Sequence, residues 1–154
     1  MPISLVHSQR PFAPNWRSYK RPLAHQVPRQ WQAWLNDSGS LTQRLIQASD
    51  GAFEVRVVRN YWHTPRRSEA RALAMKGRQK AIIREVELLC HGQVWVCARS
   101  IMPHNTLTGR LRRFSNIGTK PLGALLFKHP NMVRGSLQVA CFKSHHSPLQ
   151  HWAR

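Results

Sequence analysis

Apolar positions between Ala81 and Met102 fall in two runs, Ala81–Cys90 and Val94–Met102, joined at His91-Gly92. Runs of this length around a glycine predict two antiparallel strands closed by a tight turn, because glycine tolerates the positive φ such a turn needs. Side chains alternate along a strand, so Ile82, Arg84, Val86 and Leu88 share one face, and Ile83, Glu85, Glu87 and Leu89 share the other. Arg84 therefore falls among aliphatic neighbours. A charge in that position needs either a protein partner or a ligand that arrives. Glu85, Glu87, a neighbouring strand or a sheet edge would each satisfy it.

The same pattern reading extends along the chain. Gln30–Leu35 reads as a short helix ended by Asp37-Ser38-Gly39. Ser40 is an N-cap for a second helix, Leu41–Gln47, whose apolar face takes Leu41, Leu45 and Ala48. Asp50-Gly51 is a turn, and Phe53–Trp62 a strand with Phe53, Val55, Val57 and Arg59 on one face. Arg66–Lys80 is basic and alanine-rich, an exposed helix or loop whose charges face solvent. Pro103 stops the second hairpin strand. Leu107–Phe114 is expected to be helical, Pro121 opens a short helix ending near Phe127, and Ser136–Phe142 is a last short strand. Hairpins without strand–helix–strand crossovers imply an α+β fold, a single domain of antiparallel sheet with helices packed on it.

Composition narrows the class. A chain of 154 residues with 42% hydrophobic positions and six tryptophans suits one globular domain with a modest core. Residues 1–29 carry no acid and five prolines, and read as a basic, extended N-terminal arm before a domain over 30–154. No apolar run is long enough to cross a bilayer and no signal peptide opens the chain, so no membrane association and a cytoplasmic location are expected. Cys90, Cys97 and Cys141 are odd in number and lack metal-ligand spacing, which predicts reduced, buried thiols. His145, His146 and His151 lack acidic or cysteine ligands nearby, so no metal is expected. The 24 Lys and Arg against 6 Asp and Glu give a net charge of +18, spread through the sequence. That charge alone would suit nucleic acid. Without a helix-turn-helix, zinc-finger or RNA-binding signature, nucleic acid is not the expected partner, and a basic field equally steers a small dianion.

Several short motifs then stand in one order. Arg84-Glu85-x-x-Leu88-Leu89-Cys90 with Gly92, Trp95, Ala98-Arg99 and Pro103 is followed by Thr106-Leu107-x-Gly109. Gly118-x-x-Pro121-Leu122-Gly123-x-x-Leu126-Phe127 comes next. Weaker matches reach back to Trp34-Leu35 and Ser40-Leu41-Thr42-x-Arg44, and forward to Trp152-Ala153-Arg154. In these motifs the chain resembles bacterial chorismate pyruvate-lyases.

The resemblance implies a monomeric, cofactor-free lyase that removes pyruvate from chorismate, giving 4-hydroxybenzoate toward ubiquinone. It implies that Arg84 holds a substrate carboxylate, that Leu122 touches the ligand through its main chain, and that Leu41 lines the pocket. It also implies a final strand, beyond the Trp-x-Arg segment, carrying a glutamate against the substrate. This sequence has no Asp or Glu after Glu87. No catalytic residue is therefore assignable in it, and the domain is expected to lack that strand. The alternatives are a non-catalytic effector-binding module of the same fold and a basic nucleic-acid-binding protein.

Overall fold

The computed structural model describes residues 16–18, 27–131 and 133–140. In chain order the elements are β1 (Arg17–Ser18), α1 (Arg29–Leu35), α2 (Leu41–Ala48), β2 (Phe53–His63), α3 (Arg67–Ala72), β3 (Ala81–Cys90) and β4 (Gln93–Pro103). After 3₁₀ turns at His104–Thr106 and Gly109–Asn116 come α4 (Leu122–Phe127) and β5 (Gln138–Val139). The expected last strand over Ser136–Phe142 is thus a two-residue strand among the described residues. Cys141, Phe142, the three C-terminal histidines and most of residues 1–29 lie outside them.

The chain forms two compact units, Met1–Asn36 with Val133–Arg154, and Asp37–Met132. In the first, β1 pairs antiparallel with β5, Arg17 opposite Val139. There α1 starts directly after Pro28, whose missing N–H costs nothing at a helix start.

The second unit is built on a three-stranded antiparallel sheet in the order β2-β3-β4. The fold is α+β, as the hairpin pattern predicts. All ten residues of β3 are buried, because it is the central strand and both of its faces are covered. The turn into β4 has His91 at φ 51° and Gly92 at φ 72°. Two consecutive left-handed residues match the right-handed twist of a two-residue hairpin.

In β2 the register shifts between Val57 and Arg59, so Val58 is an extra residue. The bulge corrects one expectation. Arg59 does not share the face of Phe53, Val55 and Val57; it sits opposite Glu85, while Asn60 and Trp62 rejoin that face opposite Arg84 and Ile82.

The N-cap of α2 is Ser40, whose Oγ accepts from the Gln43 N–H at 3.5 Å. Its buried face is Thr42, Leu45 and Ser49, and Leu41 and Ala48 are exposed. Leu45 is buried as expected from sequence, but the hydroxyl residues Thr42 and Ser49 take the places expected of Leu41 and Ala48. The Ser49 hydroxyl donates to the Leu45 carbonyl at 2.8 Å, which removes the cost of burying it. The Leu107–Phe114 helix appears as 3₁₀ structure starting at Gly109, itself at φ 51°, and it buries Phe114.

Candidate functional site

Three charged positions of β3, Arg84, Glu85 and Glu87, decide the chemistry of the sheet. Glu85 and Glu87 lie on one face, Arg84 on the other. All three are buried, at 3%, 6% and 2% exposure. The acid face is fully committed. Glu87 is bonded by Arg56 of β2, Nε–Oε2 2.6 Å and Nη2–Oε2 2.5 Å. Glu85 accepts from Nη1 of Arg99, its register partner on β4. Arg99 also donates from Nε to Glu69 of α3 at 2.7 Å and is hydrogen-bonded with Tyr61. Burial opposes the charge on Arg99, yet the bonds with Glu69, Tyr61 and Glu85 hold its pKa above the usual arginine value. Burial likewise would raise Glu69, and the bonds from Arg99 and the Arg66 backbone N–H outweigh it and hold that carboxyl low.

Arg84 has none of this. Neither Glu85 nor Glu87 pairs with it, which corrects the partners the sequence offered. Among the described residues its one hydrogen bond runs from Nη2 to the Lys120 carbonyl, 3.2 Å away. Burial pushes its pKa down, and no acid offsets it. Most N–H donors of the guanidinium are therefore left without an acceptor among the described residues. A buried cation in that condition is costly unless something else satisfies it.

Lys120 belongs to the Gly118–Gly123 turn that opens α4. Gly118 takes φ 61°, Pro121 caps α4, and Leu122 is its first residue. The turn thus brings Leu122 within two residues of the carbonyl that Arg84 holds. A shallow recess of about 370 Å³ lies beside it, lined by Phe53, Glu54, Val55, Thr119 and Pro121. Leu41 is exposed on α2, next to Thr42, whose Oγ1 lies 3.5 Å from where a side chain on Gly123 of α4 would begin.

Sequence reasoning missed the flanks of Arg84. Cross-strand register places Asn60 of β2 and Ser100 of β4 directly opposite it, on the same face. The three make a polar row across a face that also carries Phe53, Val55, Val57, Trp62, Ile82 and Met102. Both are hidden by bulges: counted from the His91-Gly92 turn, Arg84 would pair with Arg99, and only the register shift between Leu88 and Leu89 moves it to Ser100, as the extra residue Val58 does for Asn60. No group of three or more potential metal ligands occurs among the described residues.

Fold and site together define an α+β domain with a buried, uncommitted guanidinium beside a Gly-Thr-Lys-Pro-Leu-Gly turn. Comparison with known proteins gives the family: a profile described as "Chorismate lyase" matches residues 15–154, and the chain belongs to that family. It is 41% identical over 111 residues to the "Probable chorismate pyruvate-lyase" of Marinobacter nauticus, covering 72% of this chain and 59% of that protein. A protein of the same name from Aromatoleum aromaticum is 38% identical over 132 residues, 86% of this chain and 70% of its own. That of Methylococcus capsulatus is 36% identical over 115 residues, 75% and 71% respectively. The chain thus spans between 59% and 71% of the length of these relatives.

Proposed function

We propose that this chain binds chorismate and takes part in releasing pyruvate from it, leaving 4-hydroxybenzoate, in the cytoplasm and without a cofactor. Chorismate is a cyclohexadiene with a ring carboxylate and an enolpyruvyl ether bearing a second carboxylate. The ether C–O bond breaks, the hydrogen on the neighbouring hydroxyl-bearing carbon leaves as a proton, and its electron pair completes the aromatic ring. The departing enolate takes up a proton at carbon and becomes pyruvate. Atoms balance without an oxidant, reductant or water.

The observation that carries the reading is Arg84. A planar fork with unspent donors suits a carboxylate, because two parallel N–H groups match its two oxygens. Leu122, at the start of α4, would meet the same ligand through its main chain, and Leu41 would border it from α2. Holding both ends of the substrate fixes the ether against the ring, and orientation is a large part of what such a reaction needs. The strand carboxylates Glu54, Glu85 and Glu87 are all on the opposite face from Arg84. The proton-handling glutamate implied by resemblance is not among the six acids of this sequence. Binding and orientation are accordingly the steps assigned to the residues named here.

Titration with 4-hydroxybenzoate, alongside pyruvate release from chorismate, tests this. Saturable product binding is expected. Arg84→Lys, which keeps the charge and loses the fork, should weaken it by roughly 1.5–3 kcal/mol. Unchanged affinity in that variant would end the assignment of Arg84. Binding without pyruvate release would favour an effector-binding module.

A further inference from the structure

The segment between β2 and β3 carries six cations, Arg66, Arg67, Arg71, Lys76, Arg78 and Lys80, all exposed. Its one acid, Glu69, is turned inward to Arg99 and to the Arg66 backbone N–H at 2.8 Å. The remaining acids of the chain offer these cations nothing. Asp37 pairs with Arg44, Glu85 with Arg99 and Glu87 with Arg56, which leaves Asp50 and Glu54. Those two lie where Phe53 meets Cys90, whereas the segment leaves and rejoins the sheet where His63 meets Ala81. About ten residues of strand, roughly 33 Å, separate the two ends. That exceeds the screening length of about 10 Å at 0.1 M salt several times over.

Apolar side chains stand in the same region. Trp62, at the end of β2, is 48% exposed and Leu73, after α3, is 43% exposed. The loop also holds Ala74 at φ 49° and Arg78 at φ 60°. Residues with a Cβ rarely occupy that region, so the loop has a defined and costly shape.

We propose that this end of the molecule docks on an anionic lipid surface. Each Lys or Arg near such a surface multiplies affinity about fivefold. An exposed tryptophan settles at headgroup level, and Leu73 adds a shallow apolar contact. Peripheral docking requires no spanning segment, and no helix among the described residues is long and apolar enough to cross a membrane. Nucleic acid fits the surface less well. Helix α3 has six residues, too short to lie along a groove. The cations of Arg66–Lys80 carry the proposal independently of the lyase reading, since none of them lies at the Arg84 turn; Trp62 alone shares the sheet face of Arg84.

Co-sedimentation of the full chain with phosphatidylcholine vesicles, with and without about 30% phosphatidylglycerol, tests it at about 50 and 300 mM salt. Binding is expected only to the anionic vesicles and should weaken with salt. The variant Arg67→Gln/Arg71→Gln/Lys76→Gln/Arg78→Gln should lose binding at least tenfold. The double change Lys76→Glu/Arg78→Glu, confined to the exposed loop, should lose it comparably and guards against a folding defect in the first. Trp62→Ala should lower binding most at the higher salt, where the apolar contact carries more of it. Equal binding to neutral vesicles, or full binding by both charge variants, overturns the proposal. So does retention on duplex DNA that anionic vesicles cannot compete away.

Discussion

Two arginines of this sheet show that burial of the same residue can mean opposite things. Arg99 is half-buried against two carboxylates and a tyrosine, and Arg84 fully buried against a single carbonyl. Removing Arg99 strands Glu85 and Glu69 in a poorly hydrated place, so Arg99→Met should cost about 3–5 kcal/mol. Arg84→Met removes an unpaired buried charge and should leave stability unchanged or raise it by roughly 1–3 kcal/mol, while abolishing 4-hydroxybenzoate binding. Urea unfolding of both variants decides this. A large loss in Arg84→Met would show that Arg84 serves the fold. The cysteines belong to the same scale. Cys90 is wholly buried and Cys97 is half-buried, both as free thiols. Burial, and secondarily the charge of Glu87, push the Cys97 pKa up. Thiolate is the reactive form, so peptide mapping after mild alkylation of the native protein should find both largely unmodified, and fully modified after denaturation.

At the scale of elements, what was legible in the sequence was local. The hairpin followed from two apolar runs and His91-Gly92, and the start of α2 from Ser40, because both signals sit within a few residues of the structure they specify. The bulge at Val58 was not legible, since it exists only relative to β3, and with it went the placement of Arg59 and Asn60. The role of α3 was hidden for the same reason. Its basic composition reads as a solvated face, and all six cations of Arg66–Lys80 behave so, but Glu69 reaches Arg99 thirty positions along the chain. Alternation made Arg84's place among apolar neighbours readable, whereas the ligand roles proposed for Arg84, Leu122 and Leu41 come from resemblance. That Arg84 is free of Glu85 and Glu87 needed the pairs with Arg99 and Arg56. The Glu69 latch has a pH signature. Its folded pKa is depressed below the ordinary 4.5, so its stabilisation is complete above 4.5 and disappears as pH falls through the lower folded value. Glu69→Gln should therefore be less stable than the parent by about 1–3 kcal/mol at neutral pH, with the gap closing below pH 4.5. A gap that stays constant into acid would show that the carboxylate's charge is not what holds α3.

For the molecule as a whole, the net charge of +18 is a term of its own. Four of the six acids are consumed in ion pairs within the sheet unit, so the surface is left with little to offset its cations. Like charges on a compact chain repel, and unfolding relieves them by moving them apart. Salt has two opposed effects here. It screens the exposed repulsions, whose range shrinks from about 30 Å at 0.01 M to about 10 Å at 0.1 M. It also weakens attractive pairs, but three of the four carboxylates concerned are largely buried and feel screening much less. Repulsion should therefore dominate the response, and the melting temperature should rise with sodium chloride between about 10 and 300 mM. A gain of about 1 kcal/mol corresponds to roughly 2–4 °C for a chain of this size. Sodium sulfate matched for ionic strength separates screening from anion binding, since screening alone makes the two salts nearly equivalent. A melting temperature that is flat or falls with salt would mean that the cations are spaced widely enough not to oppose folding, and that the charge of this protein acts only on what approaches it.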